Sequence, residues 1–320
     1  MPPRVLFLGR NDWANVSHRV ARGMNAAAGT TVARVLVLEA HPFGYREDML
    51  IGRPSAEGWR HWGRSADWLI STGDGEYAAF TSLCNLIRAH GQRVATCHVG
   101  SQYRSQSARY NELDRALGFS RRFIGGDLYR FALEDRRAVP YFAPPDQVAG
   151  ELAPARERVR IGHSPTNRER KGTSAILEVF EDIETGPLGH QVEIDVIEGV
   201  SYREALERRG RCHVFVDQLQ PEIGGFGASS VEALAAGCAV LSDTHNVHPD
   251  VDHFYPRPPI INVADPGELG RHLALLVRDR HELERRRRVS LGWARNWATP
   301  EAVGTYWLSH LAEPPRAVAA

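Results

Sequence analysis

The chain has 320 residues, 42% of them hydrophobic, and its 39 Lys+Arg balance 39 Asp+Glu for a formal net charge of +0. That length and apolar content are enough to fill the cores of two α/β domains, so the fold needs no disulfide or metal staple. A balanced charge argues against a protein built to coat nucleic acid, and no run approaches the ~20 apolar residues of a membrane span.

The opening run, Met1 to Gly9, is too short for a signal peptide. Its Val5-Leu-Phe-Leu8 predicts a strand ending in Gly9, and Val16, Val20 and Met24 then recur at helical spacing. Strand, glycine turn, helix is the start of a parallel α/β unit. Val32 to Leu38 predicts the next strand, and Trp68-Leu-Ile70 another. Between them, His41 to Arg64 holds Pro, Gly and Trp without a clear period and reads as a long loop at the open end of the sheet. Phe80 to Ala89 reads as helix and Val94 to Cys97 as strand, followed by a loop His98-Val-Gly-Ser-Gln-Tyr-Arg104 with donors for a polyhydroxy or charged ligand. The prolines from Pro140 through Pro144, Pro145 and Pro154 predict a stiff, extended connection and a domain boundary.

Beyond that connection the alternation restarts. Val159-Arg-Ile161 predicts a strand, His163 to Lys171 a polar loop, and the segment after Gly172 a helix with Ile176, Leu177, Phe180 and Ile183 on one face. Val192 to Ile197 is a strand, and Ser201 to Glu204 has capping-box spacing. Val214-Phe-Val216 leads into Gly224-Gly-Phe-Gly-Ala-Ser-Ser-Val-Glu232, where glycines open onto an Ala- and Leu-rich helix stopped by Gly237. A helix N-terminus reached through glycines favours an anion such as a nucleotide diphosphate. Asp265 to Glu268 is a second capping box, with Pro266 at the first helical position. Four arginines, Arg285 to Arg288, read as a solvated helix face or as a basic patch toward a membrane or acceptor. A last helix starts at Thr299-Pro-Glu-Ala. Cys84, Cys97, Cys212 and Cys238 lack Cys-x-x-Cys spacing and read as reduced core thiols of a cytoplasmic protein.

Two stretches carry a family likeness. His163-Ser-Pro-Thr-Asn-Arg-Glu-Arg-Lys171-Gly-Thr resembles the phosphate-contacting loop of GT-B glycosyltransferases, specifically glycosyltransferase family 4. Gly224 to Val240 resembles that family's Glu-x7-Glu segment with its following Glu-Ala-hydrophobic-Ala-x-Gly-x-x-Val run. The likeness is specific over roughly Val159 to Val263. It implies an α/β GT-B fold, two doubly wound Rossmann-like domains facing across a cleft: residues 1–145 on the acceptor side, 146–296 on the donor side, and a helix in 297–320 crossing back. It also implies retaining, metal-independent transfer of a hexosyl group from a nucleotide sugar, UDP- or GDP-linked, with no tightly bound cofactor.

Carried over by residue, Lys171 matches the lysine that neutralises the departing diphosphate, with Arg168 as companion cation and Arg170 as the alternative. Glu232 matches the ribose-binding glutamate, although Ser229 to Glu232 also has capping-box spacing, so Glu232 could cap its own helix. The same resemblance places Gly9, Asn167, Val200, Gly225, Phe226 and Gly227 along the donor. The family's first glutamate falls on Gly224, a departure that leaves Glu222 or the backbone amides of Gly225 to Gly227 to hold the sugar. His98, at a strand end, matches a histidine that some members place beside the transferred sugar; a structural histidine is the blander reading. His245, His248, Asp250, Asp252 and His253 crowd one loop, but their spacing fits no standard metal set. The expected partners are a nucleotide sugar and a carbohydrate, glycolipid or small-metabolite acceptor, with the arginine run as a contact to the inner face of a membrane. A sugar-nucleotide epimerase and a non-catalytic nucleotide- or partner-binding subunit are the rival readings of the same fold.

Overall fold

The structure is a computed structural model describing residues 1–72, 77–152 and 158–312, without the side chain of residue 101. The chain forms two compact units, one of Met1–Pro144 together with the chain from Pro300 onward, the other of Pro145–Thr299. Pro154, expected in the connection, lies outside the described residues.

The first unit holds a parallel sheet of β1 (Val5–Gly9), β2 (Ala33–Val37), β3 (Met49–Leu50), β4 (Trp68–Ser71), β5 (Arg93–His98), β6 (Arg121–Gly125) and β7 (Ala138–Tyr141). Their order is β3-β2-β1-β4-β5-β6-β7. β1 and β4 are buried along their whole length, as strands covered by helices on both faces must be. Three expectations change here. The segment from His41 to Arg64 contains β3 and a short helix, Trp59–Arg64, rather than loop alone. Pro140 sits inside β7, where it faces Ile124. β7 is the sheet's edge, so the missing N–H of proline removes no ladder bond. The expected loop after His98 is helix Gly100–Ser105, with Tyr103 fully buried and Arg104 paired to Asp127 at 2.5 Å, so neither side chain is left for a ligand.

Helix Pro300–Ala312 belongs to this unit and lies against helix Val16–Ala28. A Cβ on Gly304 would sit 2.0 Å from the Gly23 carbonyl oxygen, so the two backbones touch because neither residue has a side chain. Trp307 is buried behind the sheet, stacked on Phe123 at 3.6 Å.

The second unit's parallel sheet contains β8 (Val159–His163), β9 (Val192–Val196), β10 (Val214–Val216), β11 (Ala239–Ser242) and β12 (Ile261–Asn262), ordered β12-β11-β10-β8-β9. Ile176, Phe180 and Ile183 of helix Thr173–Thr185 pack into its core beside Leu269, Leu273 and Leu276. Ser201 and Asp265 each accept the amide of the glutamate three residues on, at 3.2 and 2.7 Å. The arginine run does not form one basic face. Arg287 is buried against the Gly237 carbonyl, while Arg285 and Arg286 both pair with Glu282, so the expectation of a membrane-contacting patch is withdrawn. All four cysteines are buried thiols. Among the described residues no helix is long and apolar enough to cross a membrane.

Candidate active site

In a parallel sheet the crevice for ligands lies outside the carboxyl ends of the strands where the order reverses. In the second unit that point is between β8 and β10. β8 ends on His163, which is fully buried. Its Nδ1 must donate to the Val216 carbonyl (2.8 Å), because a carbonyl only accepts, so its Nε2 accepts from the Thr173 hydroxyl (3.0 Å). Burial lowers its pKa, and the nearby Lys171 charge lowers it further. His163 is thus a neutral tie between the two strand ends and helix Thr173–Thr185.

The loop after His163 turns into a short helix, Arg168–Lys171, with Asn167 as its cap, accepting from the Arg170 amide at 2.9 Å. Gly172 (φ 64°) then brings the backbone onto Leu219, where a Cβ would meet the carbonyl oxygen at 1.9 Å. This turn directs Lys171 toward the end of β10. Its ammonium is 2.5 Å from Asp217 and 3.5 Å from Gln218. Arg168 has a different place: it is exposed, forked onto Glu198 at 2.5 to 3.2 Å.

Asp217, the residue after β10, is the centre of the arrangement. It is buried, and its second oxygen accepts from the Ser230 hydroxyl (2.6 Å) and the Gly227 amide (3.3 Å). Burial alone would raise its pKa, but the Lys171 charge and these hydrogen bonds hold it below the ordinary carboxylate value. It therefore sits as an anion at the N-terminus of helix Ala228–Ala235, holding the N-cap amide and the Ser230 hydroxyl while fixing Lys171. Gly227 is that helix's N-cap, 3.9 Å from the Lys171 ammonium as measured from a Cβ it lacks. The Gly225 carbonyl is pinned by Gln218 (2.7 Å) and Ser242 (3.1 Å), and Phe226 is buried.

Glu232 does not cap its own helix. Tyr202 donates to one of its oxygens (3.0 Å), and the buried Arg209 pairs with the other. Val200 lies half-buried in the bend just before Tyr202. Gly224 has φ 49°, and a Cβ there would strike Asn246 at 2.4 Å and His245 at 2.6 Å. A side chain at this position would adopt a strained backbone conformation and require Asn246 and His245 to move aside. Glu222 is exposed at the surface. In the His245–His253 loop, Asp243 holds His245 at 2.5 Å and Arg257 holds Asp252 at 3.1 Å. Among the described residues no group of three or more His, Cys, Asp or Glu is arranged to hold a metal ion.

In the first unit the order reverses between β1 and β4. Gly9 ends β1 where a Cβ would lie 1.9 Å from the Thr72 hydroxyl, so it permits a close crossing of the two strand ends. His98 corrects the expectation of a sugar contact. It is fully buried, stacked on Tyr103 at 4.2 Å, with Nε2 2.8 Å from Asp114. Asp114 also takes Arg122 (2.6 Å) and the Tyr77 hydroxyl. Burial lowers the His98 pKa, and the imidazole presents no surface to a substrate. An open cavity of about 950 Å³ lies at the amino ends of β6 and β7, away from the carboxyl edge. Its central charges are already paired, Arg122 and Arg137 both meeting Asp135.

No protein-family model matches the chain, and no curated protein sequence matches it. Solved structures do. An α-glucosyltransferase in complex with UDP-glucose and DNA containing an abasic site superposes with TM-score 0.66 at 11% identity, covering 97% of this chain and 100% of that one. HepE from Anabaena, in complex with UDP and glucose, gives 0.62 at 10% identity, over 97% and 99%. Sucrose-phosphate synthase from Thermosynechococcus elongatus gives 0.61 at 12% identity, over 97% and 98%. The fold is GT-B. Within this GT-B chain, the candidate site contains Lys171, Gly227 and Glu232, to which the sequence pointed, and also Asp217, Tyr202 and Arg209, to which it did not. Asp217 had a signal: it is the first polar residue after a buried strand, where a parallel sheet meets its ligand. Arg209 had none, because only folding brings it against Glu232.

Proposed function

We propose that the chain is a nucleotide-sugar-dependent glycosyltransferase of the hexosyl type, acting with retention. The observation that carries the reading is the junction at the carboxyl ends of β8 and β10, where the buried Asp217 anion fixes Lys171 beside the N-cap glycine of helix Ala228–Ala235. Structures of the same fold are solved with UDP-glucose or UDP, which supports a UDP-sugar donor over a GDP-sugar.

Glycosyl transfer breaks the bond between the sugar C1 and a phosphate oxygen, and the electron pair leaves with the diphosphate. An ammonium carries three protons. With Asp217 and Gln218 taking two, the third is left for a phosphate oxygen, where negative charge grows as the bond breaks. The helix N-terminus adds its dipole to the same anion. The acceptor oxygen bonds to C1, and its proton passes to the departing phosphate, so charge balances. Glu232, fixed by Arg209 and Tyr202, is assigned to the ribose hydroxyls in this proposal. Asn167, Val200, Gly225, Phe226 and Gly227 line the donor in this proposal; Arg168 joins the site only by leaving Glu198.

The test is a thermal-shift panel of UDP-, GDP-, ADP- and TDP-sugars followed by donor hydrolysis without acceptor and by NMR of the product anomer. A donor at about 1,000 times its Kd stabilises the native state by about 4 kcal/mol. If no nucleotide sugar raises the melting temperature, the proposal fails. A binding subunit without turnover is the second reading, favoured by one observation: Lys171 and Arg168 are both already paired within the chain. Binding of a donor with no hydrolysis and no transfer selects it.

A further inference from the structure

Glycosyl transfer, as proposed above, needs an acceptor, and the first unit carries a second arrangement outside the carboxyl ends of β1 and β2, next to its switch point between β1 and β4. After β1 the chain passes through Ala14 (φ 52°) and Asn15 (φ 53°). Among the described residues these are the only non-glycine positions in the left-handed region. Such a conformation is unfavourable for each, and persists where the surroundings impose it, commonly at ligand sites. Here the turn leaves Trp13 45% exposed and Asn15 2% exposed.

After β2, His41 is buried and packs edge-on to Trp13 at 4.9 Å, beside Tyr45 at 4.6 Å and Phe43 at 5.1 Å. Phe43 is 53% exposed. Two half-exposed aromatic rings thus flank one buried imidazole. His41 and Tyr45 also line a small space together with Asp12, Asn15, Glu39 and Glu47, with room for about one water-sized group. The His41 Nδ1 accepts from the Phe43 amide (3.3 Å), so Nε2 carries the proton, and Nε2 has no partner. The Asn15 side-chain oxygen, an acceptor, has none either. A donor and an acceptor both buried and unpaired are costly unless a ligand completes them. A hydroxyl does both at once. Arg46 is the one cation in the lining, against four carboxylates of which Glu39 and Asp48 are paired to Arg10 and Arg34. That balance disfavours a phosphorylated or polyanionic ligand.

We propose that the half-exposed rings of Trp13 and Phe43 form the stacking surface, and Asn15 with His41 the hydroxyl anchor, of a site for an uncharged saccharide, the acceptor of the transfer reaction. The C–H face of a pyranose lies on the electron-rich ring faces while one of its hydroxyls enters the small space.

The experiment uses the full chain, with binding followed by tryptophan fluorescence and saturation-transfer NMR. The probes are methyl glucoside, maltose, cellobiose and N-acetylglucosamine, set against glucose 6-phosphate and a short single-stranded DNA. An uncharged saccharide is expected to bind with Kd of about 1–10 mM. Trp13→Ala weakens it about tenfold and Trp13→Phe about threefold or less, since the ring is what binds. Asn15→Gly weakens binding by a similar factor yet leaves the melting temperature unchanged or raised, because glycine takes this backbone conformation without strain. Ala14→Gly raises stability and leaves binding alone. Binding by Trp13→Ala and Asn15→Gly equal to wild type overturns the assignment, as does failure of every uncharged probe or preference for an anionic one. UDP-glucose affinity is measured in parallel. If the saccharide site holds and no nucleotide sugar binds, the transferase reading fails and the site stands; the converse leaves the transferase and removes the site.

Discussion

Asp217→Asn is the substitution that asks most of the site. The native carboxylate is fully buried and serves two sides: one oxygen faces the Lys171 ammonium at 2.5 Å, the other takes Ser230 and Gly227. An asparagine has one oxygen for these two demands. Whichever way the amide is turned, its NH2 confronts a donor, either the ammonium or the Ser230 and Gly227 pair. Breaking a buried ion pair by removing one partner costs about 3–5 kcal/mol. Lys171 is 14% exposed and can partly rehydrate its charge, which puts the expected loss near the lower end, about 3 kcal/mol. For a unit of this size that is a fall of about 6–12 °C in the melting transition. The pH dependence gives a second readout. Asp217 has a folded-state pKa below its unfolded value, so its contribution is present above the unfolded value and is lost as pH falls through the folded one. The gap between wild type and variant is therefore constant from pH 8 to about 5 and closes only below about pH 4. Calorimetry across that range measures both. A fall under about 2 °C at pH 7, or a gap undiminished at pH 3, refutes the ionised-pair account.

Three further outcomes are expected. Lys171→Ala lowers single-turnover transfer about a hundredfold or more with donor saturating, and an unchanged rate removes Lys171 from the chemistry. Glu232→Gln strands the buried Arg209 without its counter-charge, so it lowers the melting temperature by several degrees as well as weakening nucleotide binding about tenfold; a stable variant would show that the Arg209 pair contributes nothing. Gly304→Ala drives a methyl into the Gly23 carbonyl and costs about 1–3 kcal/mol, read as a shift in denaturant midpoint at unchanged slope.

The sequence determined the class of fold and pointed to most residues of the proposed donor site, because both readings depend on local order. Runs such as Val5-Leu-Phe-Leu8 and Val214-Phe-Val216 can only be buried strands, and the restart of strand and helix after Pro145 can only be a second α/β unit. The glycines before Glu232 and the loop before Lys171 carried the nucleotide-site pattern for the same reason: backbone approach and a helix start are local. Short edge strands escaped. β3 has two residues, and β7 contains Pro140, so neither has a period to read, and each exists only because a neighbouring strand pairs with it. Charge pairing escaped too. Glu232 had capping-box spacing, but the helix starts before Ser229, with Gly227 as its N-cap, and Arg209 reaches Glu232 from 23 residues away. His98 had the strand-end position of a ligand, yet Asp114, Arg122 and Tyr77 close around it from three other elements. Which cations are free, which are paired and which histidines are walled in depends on what arrives from elsewhere in the chain. Local propensity is blind to that, and packing decides it.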